Sequence, residues 1–195
     1  MTDTPTPGTR DRLIAAMTDA LRRRGLHGIG LTELLAQAGA PKGVLYHHFP
    51  GGKTELAVAA IDDVVARMLR GLDALLASTP EPIEAMRRWM AGATGRLSDT
   101  GFGAGCPLAT VALETTPDDA ALRDALARAF DTLRERIALA LEQHGEPQVQ
   151  ARGIAALVVA TYEGGLLQAR VAQSTEPITQ ATDTLLSLLT TRASR

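Results

Sequence analysis

Apolar positions recur at helical spacing along nearly the whole chain, and the strict alternation expected of a half-buried strand is absent. Leu13, Met17 and Leu21 step by four from a start at Gly8 or Thr9. Gly25 ends that helix, after Arg22, Arg23 and Arg24 in the last turn, where cations suit the helix dipole. A short helix fits Leu31 to Ala38, closed by Gly39, and Pro41 at a first helical position opens another that stops before Pro50. A long helix is predicted from about Gly52 to Ala77, and a helix carrying Met86, Trp89 and Met90 follows the breaks at Pro80 and Pro82. Beyond a glycine-rich loop over Ser98 to Gly105, Pro107 starts a short apolar segment through Glu114. Asp118 and Asp119 open a long helix with the stripe Leu122, Leu126, Phe130, Leu133, Ile137 and Leu141. A helix over 148–172 has an almost uncharged middle. Pro177 starts the last helix, with Ile178, Ala181, Leu185 and Leu188 expected inward. The fold class predicted is therefore all-α, with nine helices.

Composition narrows the class. A single cysteine, Cys106, permits neither an intramolecular disulfide nor a cysteine-built zinc site, so a disulfide-rich secreted domain is excluded. The polar stretch Met1 to Arg12 has no apolar core of a secretory signal. The most apolar long run, Ile154 to Ala169, is interrupted by Glu163, Gly164 and Gly165 and falls short of the roughly 20 residues of a membrane span. A cytoplasmic protein with no membrane partner is the expectation. Residues 1–53 carry seven basic against four acidic side chains, whereas the remainder carries thirteen against eighteen. A basic head on an acidic body hints at a polyanionic partner.

Residues 31–49 supply the chemistry. Two short helices joined by a tight Gly39 turn have the spacing of a helix-turn-helix, whose second helix enters the major groove. Leu31, Leu34, Leu35 and Ala38 suit packing of the first helix on the core, and Leu45 with Phe49 forms an inward i, i+4 pair in the second. Lys42, Gly43, Tyr46 and His47 then share the opposite side, offering groups that hydrogen-bond phosphates and base edges. Periodicity alone leaves open an ordinary helical hairpin with a solvated polar face.

The stretch from Gly39 through Lys42-Gly-Val-Leu-Tyr-His-His-Phe49 to Lys53 resembles the signature of the TetR family of transcriptional regulators. The Pro50-Gly-Gly-Lys53 form and the later Gly105-Cys-Pro-Leu-Ala109 resemble its LmrA/YxaF-like subgroup. The resemblance implies that Lys42, Gly43 and Val44 meet base edges or their phosphates, that Tyr46 donates to a phosphate and that His47 lies against DNA. It further implies that His48 reaches a phosphate or braces the turn, that Lys53 adds a phosphate contact and that Thr32 approaches the backbone or a base. Ile29-Gly30 stands where the family often has threonine or serine, which removes a side-chain cap worth about 1 kcal/mol. The family also implies a three-helix, helix-turn-helix DNA-binding head over residues 1–51 on a larger helical ligand-binding and dimerisation body over 52–195, with double-stranded operator DNA as partner, a homodimer through the last two long helices, and a small-molecule effector enclosed by the body. Gly164 and Gly165, in mid-helix, fit either close packing against a partner helix or a kink beside a pocket.

Aromatic side chains make up only 3% of the chain, so their placement carries information. Met86, Trp89 and Met90 on one helix, Phe102, Cys106 and Phe130, and Tyr162, Glu163 and Leu166 on the 148–172 helix are the candidate ligand contacts; each also suits plain core or interface packing. Enzyme readings weaken on inspection. Gly51-Gly-Lys-Thr54 would complete a phosphate-binding loop only with glycine at 47, where His47 stands. His47 and His48 are adjacent and point to different sides of a helix, which is poor geometry for shared metal ligation. The sequence implies no catalytic residue, metal or cofactor. The expected function is a ligand-responsive, dimeric repressor of a palindromic operator, released by an inducer. The alternative is a helical ligand-binding or interaction module whose head has lost DNA binding.

Overall fold

The computed structural model describes residues 8–193, so part of the polar stretch read over Met1 to Arg12 lies outside the described residues. Nine α-helices and no strand occur among the described residues. The head is α1 (Thr9–Arg24), α2 (Leu31–Ala38) and α3 (Lys42–His48). The body is α4 (Gly52–Ser78), α5 (Pro82–Asp99), α6 (Pro107–Glu114), α7 (Ala120–Gln143), α8 (Gln148–Ala172) and α9 (Glu176–Ala193).

Each boundary has a local cause. Gly39 ends α2 in the left-handed region at φ 58°, which costs glycine little. Its N–H bonds the Ala36 carbonyl, and the Ala40 N–H bonds Leu35, so the last carbonyls of α2 are satisfied and the chain turns sharply into α3. Pro41 lies one position earlier than expected, as the N-cap of α3. The N-cap of α2 is Gly30 with no side-chain cap, because Ile29 beside it is spent as a buried core residue. At the start of α4 the Glu55 carboxylate accepts the Gly51 N–H at 2.6 Å.

Helix α4 joins the two units. It packs with α1 in the head and with α5 and α7 in the body. Asp73 near its end pairs with Arg136 of α7 at 2.5 Å. Helices α7, α8 and α9 pack in sequence order, and α5 closes against α9. Gly165 explains how closely α8 and α9 approach: a Cβ there would lie 2.8 Å from Ile178 Cγ1. The neighbouring Gly164 faces open space. In α9, Ile178 and Leu185 are buried as expected, but Ala181 and Leu188 are exposed. Thr182, Leu186 and Leu189 are buried instead. At 100° per residue these share an arc with Ile178 and Leu185, while 181 and 188 fall on the shoulder beyond it.

Candidate functional site

The head presents a polar face on an apolar anchor. Leu45 of α3 and Phe49, which caps its end, are buried, as are Leu34 and Leu35 of α2, with Leu31 half-buried, so both helices are fixed by their inner sides. That leaves Thr32, Lys42, Gly43, Tyr46 and His47 exposed, and Val44 and His48 half-buried. Arg10 of α1 stacks over the Phe49 ring at 5.3 Å from its centroid, and the His47 and His48 rings meet edge to face at 5.0 Å. Gly52, at φ 68°, leaves room for the Tyr46 ring, which a Cβ would meet at 3.5 Å. Seven of the eight head residues singled out from the sequence thus lie on or beside one surface.

Lys53 is the exception. Its ammonium turns into the α1–α2 turn and donates to the carbonyls of Leu26 and Ile29, each at 2.6 Å. Burial lowers its pKa, and the nearby Glu114 opposes that shift. Those carbonyls come from a turn that local pattern does not place over the start of α4, so a phosphate contact was expected where an internal pin stands.

The same turn, and the last turn of α1 that leads into it, are tied to the body at three places. Glu114, at the end of α6, accepts the Leu26 N–H at 2.5 Å and the His27 N–H at 3.4 Å. The Gly105 N–H donates to the Arg22 carbonyl at 3.0 Å. Arg170 of α8 donates to the Arg23 carbonyl at 3.1 Å.

Behind these ties lies a cavity of about 560 Å³ between α1, α4, α5, α8 and the loop into α6. Its floor is buried and apolar, with Val64, Ala93, Leu97 and Leu166 around the Trp89 and Tyr162 rings. Those rings are stacked, with centroids 4.6 Å apart and planes 22° from parallel. The Trp89 indole N–H donates to the Met68 carbonyl at 3.2 Å. Burial pushes the Tyr162 phenol pKa far up, against a smaller opposing effect of Arg96 at its hydroxyl, so it stays neutral. The rim carries Asp19, Arg22, Arg67, Arg88 and Arg96.

Of the nine residues expected at a ligand, the cavity brings together Trp89, Cys106, Tyr162 and Leu166. Met86 and Met90 are fully buried core, Met90 against Thr182 of α9, because the cavity follows the later turns of α5. Phe130 is on α7, which contributes nothing to the wall, and Phe102 packs on the core from a loop position at φ 60°. Glu163 sits behind the wall, accepting from the Cys106 thiol at 3.2 Å through Oε1. Burial raises its pKa to about 7 and drives the thiol well above its ordinary value, so both protons are retained more strongly than in water. The rim arginines were missed, although Arg96 follows Trp89 by seven residues with Gly92 and Ala93 between, a one-face spacing legible in the sequence. Groups of three or more side chains able to hold a metal are absent among the described residues. No described helix is long and apolar enough to cross a membrane.

Comparison with known proteins agrees with both halves. Residues 13–60 match the model of the tetR family of bacterial regulatory proteins. Residues 82–184 match the C-terminal domain of LmrA/YxaF-like transcriptional regulators. The chain is 28% identical over 181 residues to the HTH-type transcriptional regulator LmrA of Bacillus subtilis, covering 93% of this chain and 96% of LmrA. It is 32% identical over 179 residues to an HTH-type transcriptional regulator of Mycobacterium tuberculosis, 88% of this chain and 89% of that one. The crystal structure of the reduced form of the Escherichia coli repressor NemR superposes with a TM-score of 0.74 at 26% identity, covering 91% of this chain and 95% of that one.

Proposed function

We propose, from the premise that the chain belongs to the tetR family of bacterial DNA-binding transcriptional regulators, that it is a cytoplasmic homodimeric repressor released from its operator by a small molecule. The observation that carries this reading is the exposed Lys42–Tyr46–His47 face of α3, held rigid by Leu45 and Phe49 beneath it. Lys42, Gly43 and Val44 meet base edges or phosphates, Tyr46 and His47 add hydrogen bonds beside them, and Thr32 and His48 flank the contact.

A palindromic operator needs two such helices, about one turn of DNA or a multiple apart. The outer side of α8 supplies a surface for a second copy. Leu157, Ala160, Leu167 and Val171 are exposed in the single chain, and with the half-buried Gly164 they are spaced by threes and fours, Leu157 being 52% and Val171 80% exposed. Leu188 of α9, 63% exposed, extends the patch. Apolar surface of this extent on neighbouring helices suits a four-helix contact between copies.

The cavity takes the effector. Its wall includes Arg22 of α1 and Gly105, which are hydrogen-bonded to each other, so filling the cavity bears directly on the head. The effector favours the arrangement in which the two heads are spaced wrongly for DNA, and operator affinity falls by that difference in binding.

A selection of bound duplexes from a random pool, followed by salt titration of the winning sequence, tests the reading. The wild type enriches an inverted repeat, and its affinity falls steeply with salt. Lys42→Ala and Tyr46→Ala each weaken the complex while the dimer persists in sedimentation. Unchanged affinity in both variants refutes the assigned face, and no enrichment at all favours a head without DNA binding.

A further inference from the structure

We infer that the cavity recognises a flat aromatic anion, with the rings on the Trp89–Tyr162 floor and the acid group between Arg22 and Arg96 on the rim. The inference rests on the reading of the cavity as the effector site and adds the chemical class of what enters it.

The charges of the rim decide the class. Four arginines and one aspartate line it, and most are already neutralised. Asp19 is taken by Arg23 at 2.9 Å, Arg67 by Asp63 at 2.8 Å and Arg88 by Glu84 at 3.0 Å. Arg22 and Arg96 pair with no carboxylate among the described residues, and Arg96, although it also meets the Tyr162 hydroxyl, keeps further N–H groups for a ligand. Arg22 comes from α1 and Arg96 from α5, so two arginines line the same cavity from different helices. Two such groups match a carboxylate, sulfonate or phosphate, whose oxygens accept paired N–H bonds.

The floor gives no competing charge. The Tyr162 phenol and Cys106 thiol stay neutral, and Glu163 is turned away behind the thiol. The Trp89 N–H is spent on Met68, which leaves ring surface rather than a donor facing the ligand. An apolar floor beneath a cationic rim orients an amphipathic molecule one way round. A volume of about 560 Å³ suits two or three fused or linked rings.

Trp89 is the only tryptophan in the chain, so energy transfer starts from one known place in the cavity wall, and the rim variants tell binding there from binding elsewhere on the chain. Two dyes make the test: 1-anilinonaphthalene-8-sulfonate and N-phenyl-1-naphthylamine, which share one aromatic body and differ by the sulfonate. Energy transfer from Trp89 is titrated with each dye on the full chain. Arg22→Ala/Arg96→Ala is expected to weaken the sulfonate dye by at least about tenfold while leaving the neutral dye within about threefold. The Arg22→Lys/Arg96→Lys variant recovers part of the loss. Circular dichroism melting checks that the alanine variant is folded; should it melt early, Arg96→Gln alone, exposed and outside the core, is read in its place.

Equal loss of both dyes, or undiminished binding of the sulfonate dye, overturns the anion assignment and leaves the cavity as an apolar effector site. Absence of energy transfer from Trp89 to either dye in the wild type overturns the cavity reading itself, and the anion assignment with it.

Discussion

The tie between Glu114 and the α1–α2 turn sets how firmly the head is held on the body. Glu114→Ala removes a carboxylate that accepts the Leu26 N–H at 2.5 Å and the His27 N–H at 3.4 Å. Leu26 is buried, so its N–H gains no water in exchange. A hydrogen bond to a charged acceptor contributes about 1.5–3 kcal/mol, and an orphaned buried donor costs about as much. His27 is exposed and its bond long, so water replaces it at little cost. The expected destabilisation is therefore about 2 kcal/mol, or a fall in Tm of roughly 4–8 °C for a chain of this size. Glu114→Gln keeps an acceptor oxygen without the charge and loses about half as much. Urea unfolding followed by circular dichroism, at matched chain concentration so that dimerisation cancels, measures both. A Glu114→Ala variant within about 0.5 kcal/mol of wild type would mean that the turn is held by Lys53 and its neighbours alone, and the reasoning fails. Operator release in the same variant should need more effector, because a loosened turn transmits less of what happens in the cavity.

The remaining expectations concern the body. Glu163 has a folded pKa of about 7 against about 4.5 unfolded, so the native state holds its proton over that interval and stability falls as pH rises through it, by up to roughly 3 kcal/mol in all. Glu163→Gln removes that slope, which urea midpoints at pH 5 and pH 8 will show; equal slopes in both proteins refute the buried acid. Gly165→Ala forces a Cβ against Ile178 and costs about 1–3 kcal/mol, whereas Gly164→Ala, in open space within the chain, leaves monomer stability level or raises it by up to about 1 kcal/mol. Thermal melts rank the two, and the reverse order would mean that α8 and α9 pack otherwise. Leu157→Glu places a charge on the proposed subunit contact and should yield monomers in sedimentation without loss of helix; a persistent dimer moves the contact elsewhere.

Local features were legible in the sequence, and features assembled across the chain were not. The α2–α3 turn was readable because its causes are consecutive: Gly39 at positive φ, Pro41, and apolar residues four apart. The anchors Leu45 and Phe49 followed from the same short range. The cavity draws on residues as far apart as Arg22, Arg67, Arg96 and Tyr162, and no window of sequence holds them together. Trp89 and Tyr162 were named for scarcity and they stack, whereas Met90, equally apolar, turned to α9 because helix phase and not composition decides the direction. The internal bonds of Lys53 are illegible for a related reason: its partners are backbone carbonyls, which carry no sequence signal. In α9 a shift of one position in the inward arc exchanges Ala181 for Thr182 and Leu188 for Leu189.

The pinning of Lys53 has a further consequence for the chemistry of amines. The chain contains two lysines, and one of them has its nitrogen turned inward under two carbonyls with its basicity reduced. Lys42, exposed at the start of α3, is left as the side-chain amine open to acylating or aldehyde reagents. Among the lysines, acetylation or formaldehyde coupling is thereby concentrated at one exposed point on α3, the helix proposed to meet DNA, where loss of a single positive charge leaves the core, the cavity and the helix pairs untouched.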